Sequence, residues 1–209
     1  MSREGMHSAY GLIILLIAVV GVVSVPFASL HGSEGPSTWV IRPSTAGTAS
    51  SRAAPTHTVL VEDFTATTCQ YCPVAGEALS TIYQSGDYDF YFVSMITDMV
   101  DAAMVRFQDL NGQGVPDVLF DGGYEEVVGA PPSTDLYTDA INISSSRPVP
   151  DLSMVQHVMK TTNASEIYVR VDVKNNDAVQ YTGHIRSYVT EIVSRYKDYS
   201  GNYYQFGFI

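Results

Sequence analysis

The chain is poor in cysteine: its 209 residues include only 2, Cys69 and Cys72. That scarcity excludes a disulfide-rich scaffold and any zinc site built from two cysteine pairs. Histidine does not make up the deficit, because His7, His31, His57, His157 and His184 are scattered and show no ligand spacing. Basic residues are also few. Lys and Arg number 11 against 22 Asp and Glu, a formal net charge of −11 with no basic stripe, which argues against a nucleic-acid partner. Charged residues of both signs make up only 16% of the chain, so the acidity is that of a solvated surface rather than a binding device.

Charge is missing altogether from Ala9 to Leu30. The apolar run from Gly11 to Val25 fits either the core of a signal peptide or a short membrane helix. Pro26, two places before the small residue Ala28, makes a poor cleavage site, so a retained membrane anchor over residues 1–30 is expected, with a cleaved signal as the alternative. Either would export the rest of the chain. Residues 31–57 are rich in Ser, Thr, Gly, Ala and Pro without hydrophobic periodicity and read as a flexible linker. Outside the cytosol a lone cysteine pair is free to be oxidised. Two sequons, at Asn142 and Asn163, are then glycosylation candidates.

The two cysteines sit in one CxxC spacing, Cys69-Gln70-Tyr71-Cys72. Upstream lies a strand-like apolar run, Thr58–Phe64, and then the polar turn Thr65–Thr68. Downstream, Val74, Ala75, Ala78, Leu79, Ile82 and Tyr83 recur at helical spacing. The first thiol therefore falls at a strand-to-helix junction, where free N–H groups and the helix dipole stabilise a thiolate, with the second cysteine one turn inside. Redox chemistry is the leading expectation. Two alternatives stay open: an inert staple, although so short a loop removes little chain entropy, and half of a metal site.

Beyond the CxxC, Tyr88–Ile96 is apolar on both faces, as in a strand covered on both sides. Val100, Ala103, Met104 and Phe107 mark one helical face. Asp117–Phe120 and Tyr124–Val128 are short strands joined by Asp121-Gly122-Gly123, a tight-turn signal, and Ser133 opens a last helix carrying Leu136, Tyr137, Ala140 and Ile141. The predicted order is β-α-β-α-β-β-α, an α/β domain over residues 58–147.

That order, with CxxC at the first strand-to-helix junction, resembles the thioredoxin fold. Val61–Pro73, with an acidic-Phe-Thr run before CxxCP, is similar to the exported thioredoxin-like branch called "outer membrane protein, twenty-eight kilodalton". Thr68 stands where thioredoxins have Trp, and Gln70-Tyr71 where they have Gly-Pro. The resemblance implies a thiol–disulfide oxidoreductase that needs no cofactor and acts on the thiols and disulfides of exported proteins, with a further redox partner to recharge it. It implies Cys69 as attacking thiolate, Cys72 as resolving thiol, and Asp63 as a buried acid/base, a role for which Glu62 competes. Gly114-Val115-Pro116 looks like the cis-proline loop of the family, so Pro116 is implied to hold an extended edge for substrate. Rival readings are a surface binding module with a permanent disulfide, and copper delivery, for which Met95 and Met99 are the nearby ligand candidates.

From residue 148 to 209 the texture is all-β. Ile167, Val169, Val171 and Val173 alternate with polar residues, Leu152–Met159 and His184–Val193 read as further strands, and Tyr204–Phe208 begins another. Three or four strands, where a sandwich needs about seven, suggest an incomplete Ig-like, sandwich-like module.

Overall fold

The structure, a computed structural model, describes residues 14–18, 21–22, 55–160 and 166–209. Two short strands come first, β1 (Ile14–Ala18) and β2 (Gly21–Val22). The elements predicted around the CxxC follow: β3 (Val59–Thr65), α1 (Cys72–Ser85), β4 (Phe90–Ile96), α2 (Asp101–Asp109), β5 (Asp117–Phe120), β6 (Glu125–Val128) and α3 (Asp135–Ser146). Four more strands complete the chain: β7 (Leu152–Lys160), β8 (Ile167–Asn175), β9 (Ser187–Lys197) and β10 (Tyr203–Phe208).

Among the described residues the fold is mixed α/β, with three helices on a sheet core. Eight strands pair in the order β2-β1-β9-β10-β4-β3-β5-β6. β3 runs parallel to β4 and antiparallel to β5, and β10 runs parallel to β4. Every residue of β3 is buried, its apolar side chains on both faces and the acids Glu62 and Asp63 with them. Alternate residues feed two cores. Val59 and Val61 pack with Leu79 and Ile82 of α1 and Tyr137 and Ile141 of α3. Leu60 and Phe64 point the other way, onto Ala103 of α2 and Tyr188 of β9. Burial of each of Phe64, Phe92 and Phe120 contributes about 1.5–3 kcal/mol of transfer free energy. Gly86 ends α1 in the left-handed conformation, φ 71°, its N–H returning to the Tyr83 carbonyl.

Residues 148–209 differ from the expectation of a separate all-β module. β9 and β10 form a hairpin about the turn Asp198–Asn202, and β10 lies against β4, so both strands extend the sheet that carries the CxxC junction. β9 also starts later than its periodicity suggested, at Ser187. A register irregularity between Tyr203 and Gln205 and a φ of 50° at Phe206 turn the Phe206 ring onto Tyr83 and Phe92, at 5.2 and 5.1 Å. Only β7 and β8 stand apart, as a two-stranded sheet of their own. Its alternating face remains partly open, with Val169 and Val173 both exposed. The period of two thus marks a strand without guaranteeing a cover for it.

The apolar run expected as a membrane helix falls mostly outside the described residues. Where it is described, at 14–18 and 21–22, its backbone is strand, and β1 pairs antiparallel with β9. An uncharged run rich in Ile and Val suits a strand as well as a helix. Among the described residues no helix is long and apolar enough to cross a membrane.

Candidate functional site

The CxxC lies where β3 hands over to α1. The turn between them is fixed by Asp98, whose carboxylate accepts the Thr67 N–H at 2.9–3.0 Å, and by the Cys69 N–H, which donates to the Ala66 carbonyl at 3.1 Å. Cys69 and Cys72 are joined as a disulfide, their Cα atoms 5.5 Å apart. α1 begins at Cys72 itself, so the second cysteine starts the helix instead of lying one turn inside it. Pro73 sets this boundary: a residue without an N–H fits the first helical turn, where no intrahelical acceptor exists, and not the interior.

Tyr71 occupies the cap position and offers no side-chain hydrogen bond to the helix. A sulfur takes that place. The Cys72 N–H donates to Cys69 Sγ at 3.1 Å, so the accessible cysteine supplies the acceptor that Ser or Asp supplies in other helices. On reduction the same donor and the helix dipole would favour negative charge on Cys69. The two sulfurs differ in access: Cys69 is half-buried beside the exposed Tyr71, whereas Cys72 is 1% exposed.

Beneath α1, Asp63 is also 1% exposed, and neither carboxyl oxygen has a hydrogen-bond partner. Burial alone pushes its carboxyl up to about 7. Asp63 belongs to the α1 side of β3 by parity with Val59 and Val61, and the Cβ position of Gly76 on α1 lies 3.9 Å from its Oδ2. Tyr137 of α3 and Tyr204 of β10 are close enough for its charge to act on them. Burial, first, and that charge raise both phenols, Tyr204 to about 12.

Glu62 is equally buried but faces the opposite way. Arg106 of α2 grips it through two hydrogen bonds of 2.7 and 3.0 Å, and the Tyr188 hydroxyl of β9 donates to it as well. Of the two adjacent acids, Asp63 shares a face with the cysteines' helix, and Glu62 is engaged elsewhere.

Pro116 follows a cis peptide bond from Val115 and precedes Asp117, whose register partner is Phe64. It therefore stands at the end of the sheet from which the CxxC turn departs, and its carbonyl accepts the Gly129 N–H at 2.8 Å. Asn142 lies within α3 with Ser144 of its sequon fully buried, an awkward setting for glycosylation of the folded chain, and Asn163 lies outside the described residues. Of the proposed copper ligands, Met95 is fully buried and Met99 is exposed. Among the described residues no group of three or more His, Cys, Asp or Glu could hold a metal ion.

An open groove of about 440 Å³ runs from Cys72 and Pro73 along α1, past Gly76, to the β9–β10 turn and Tyr204. Tyr204 and Gly76 were not singled out by sequence reasoning. Gly76 carries a signal, a lone glycine inside a helical pattern. Tyr204 carries none, since only the pairing of β10 brings it here.

No family model matches the chain, and no curated protein does. A crystal structure of a protein from Agrobacterium tumefaciens is similar to it at 19% identity over 70% of this chain and 90% of that one, with a TM-score of 0.32.

Proposed function

We propose that this protein is a thioredoxin-like thiol–disulfide oxidoreductase acting on exported proteins in an extracytoplasmic compartment. One observation carries the reading: the two sulfurs are unequal, with Cys69 accessible and capping α1 through the Cys72 N–H, and Cys72 buried at the start of the helix whose Gly76 lies over Asp63. A disulfide serving only as a staple needs neither the asymmetry nor an unpartnered acid beneath it. The β4-β3-β5-β6 order, with β3 and β4 parallel and the β5–β6 hairpin antiparallel, supports the thioredoxin-like part. The uncharged amino-terminal run supports export.

In the reducing direction the Cys69 thiolate attacks a substrate disulfide. A Cys69–substrate disulfide forms, and one substrate sulfur leaves as thiolate. Cys72 then passes its proton to the Asp63 carboxylate and attacks Cys69 Sγ, forming the Cys69–Cys72 disulfide and releasing the second substrate thiolate. Two electrons move from the dithiol to the substrate. The oxidising direction runs the same steps backwards, with Asp63 returning the proton to the Cys72 thiolate. A carboxyl that titrates near 7 suits both directions, because each protonation state is populated at neutral pH. Pro116 presents backbone at the same end of the sheet, where an extended substrate segment would align.

Non-reducing gels test the assignment. Cys72→Ala should accumulate mixed disulfides with exported proteins, and Cys69→Ala should accumulate none. Equal trapping by both variants, or trapping only by Cys69→Ala, would overturn it.

A further inference from the structure

Gly76 is a glycine without a conformational reason. It lies inside α1 with ordinary helical backbone, and a Cβ added there would meet only Asp63 Oδ2, at 3.9 Å, among atoms beyond its own helix backbone and neighbours. Neither φ nor a clash excludes alanine, which a helix interior prefers. Gly76 follows Cys72 by four residues and so stacks on the same face. It also lines the groove that Cys72 and Tyr204 line. The missing side chain therefore thins the wall between groove and carboxylate where the helix passes over Asp63.

We propose that Gly76 is the proton port of the buried site: through the gap it leaves, water in the α1–β10 groove exchanges protons with Asp63. The catalytic meaning of the port rests on the redox reading. When Cys72 hands its proton to Asp63, that carboxyl can return to its equilibrium protonation state independently of the cysteine only where water reaches it, and the flanks of Asp63 are closed. Tyr137 faces it from α3, and its hydroxyl has no partner. From β10 comes Tyr204, whose hydroxyl accepts the Thr65 hydroxyl at 3.3 Å. Ser94, its register partner on β4, turns its hydroxyl to the Gln205 carbonyl at 2.8 Å. Neither Asp63 oxygen receives a hydrogen bond from any of these residues or from Cys72. Gly76 is thus a positioning residue: it touches no substrate and acts through the access it gives to Asp63.

The test uses the full-length oxidised protein with 13C-labelled aspartate, the Asp63 carboxyl carbon being assigned by its loss in Asp63→Asn. Wild type should titrate at about 7. Gly76→Ala, which seals the gap with a methyl group, should raise the midpoint by roughly one pH unit, and Gly76→Ser, whose hydroxyl can donate to Oδ2, should lower it relative to Gly76→Ala. In the reduced proteins, Gly76→Ala should slow resolution of a preformed Cys69 mixed disulfide by about ten-fold, while Cys69 alkylation keeps its wild-type rate. An Asp63 midpoint that does not move, or that moves equally for Ala and Ser, overturns the port. Failure of the redox reading looks different: wild type would not exchange thiols with a protein disulfide, whatever Asp63 does in the oxidised form.

Discussion

Replacing Asp63 by asparagine should make the oxidised protein more stable in alkali. The folded chain holds this carboxyl at about 7, whereas its ordinary value is 3.8. Folding therefore favours the protonated form. The stabilisation is complete below about pH 4 and is lost progressively as the pH rises through 7. At about 1.4 kcal/mol per pH unit, the gap amounts to about 4 kcal/mol, the cost of holding an unpartnered carboxylate in this site. The group is 1% exposed, so little solvent screening reduces the figure. Asn keeps the shape of the protonated acid and cannot ionise. Urea unfolding at one-unit steps from pH 4 to 9 should show nearly equal stability at pH 4, an advantage for Asp63→Asn that grows steadily from pH 4 to 7, and a plateau close to that value by pH 8. Asp117, lifted to about 6 mainly by its own burial, tilts both proteins the same way and cancels in the difference. Parallel curves for the two proteins across this range would refute the placement of an ionisable, unpartnered Asp63 beneath α1.

Other outcomes follow from the same geometry. In the reduced protein at pH 7, iodoacetamide should modify Cys69 at least about ten-fold faster than Cys72, because the first sulfur is accessible and faces the helix N-terminus; equal rates would refute that asymmetry. Glu62→Ala should destabilise the fold by about 3–5 kcal/mol by leaving Arg106 without its partner, yet leave the pH profile of Cys69 labelling intact; a shifted profile would place Glu62 in the cysteine site. Gly86→Ala should cost about 1 kcal/mol through its left-handed backbone alone, since a Cβ there meets nothing within 4 Å. A thermal midpoint unchanged or raised would show that the α1 terminus tolerates an L side chain.

Much of the region around the cysteines is legible in the sequence because its signals are local. The apolar stripe of α1, with Ala75, Leu79 and Ile82 buried, is written at helical spacing, and adjacent acids in a strand must face opposite ways, so Asp63 and Glu62 could be separated in principle before any coordinates. Proline after Cys72 fixes where the helix starts, whereas placing Cys69 at the helix N-terminus put that start too early. What stayed hidden depends on pairing over long distances. Tyr203–Phe208 alternates as any strand does, and nothing in it names β4 as its neighbour. With that pairing unknown, Tyr204 could not be placed beside Asp63, Tyr188 could not be placed on Glu62, and the groove had no second wall.

The parallel seat of β10 on β4 also bears on solubility. β4, Phe90–Ile96, carries one polar residue that is not aromatic, Ser94, in seven positions, and β10 covers one of its two edges. Stripped of that cover it would present a run of unpaired amides flanked by Phe, Tyr, Val, Met and Ile, the composition that seeds edge-to-edge association between chains. The last strand thus acts as a guard on the most aggregation-prone segment of the sheet. A chain cut before Ser187 should keep its CxxC turn and still precipitate, and a lysine introduced at the partly buried Tyr91 should restore solubility to the shortened chain more readily than any change at the cysteines.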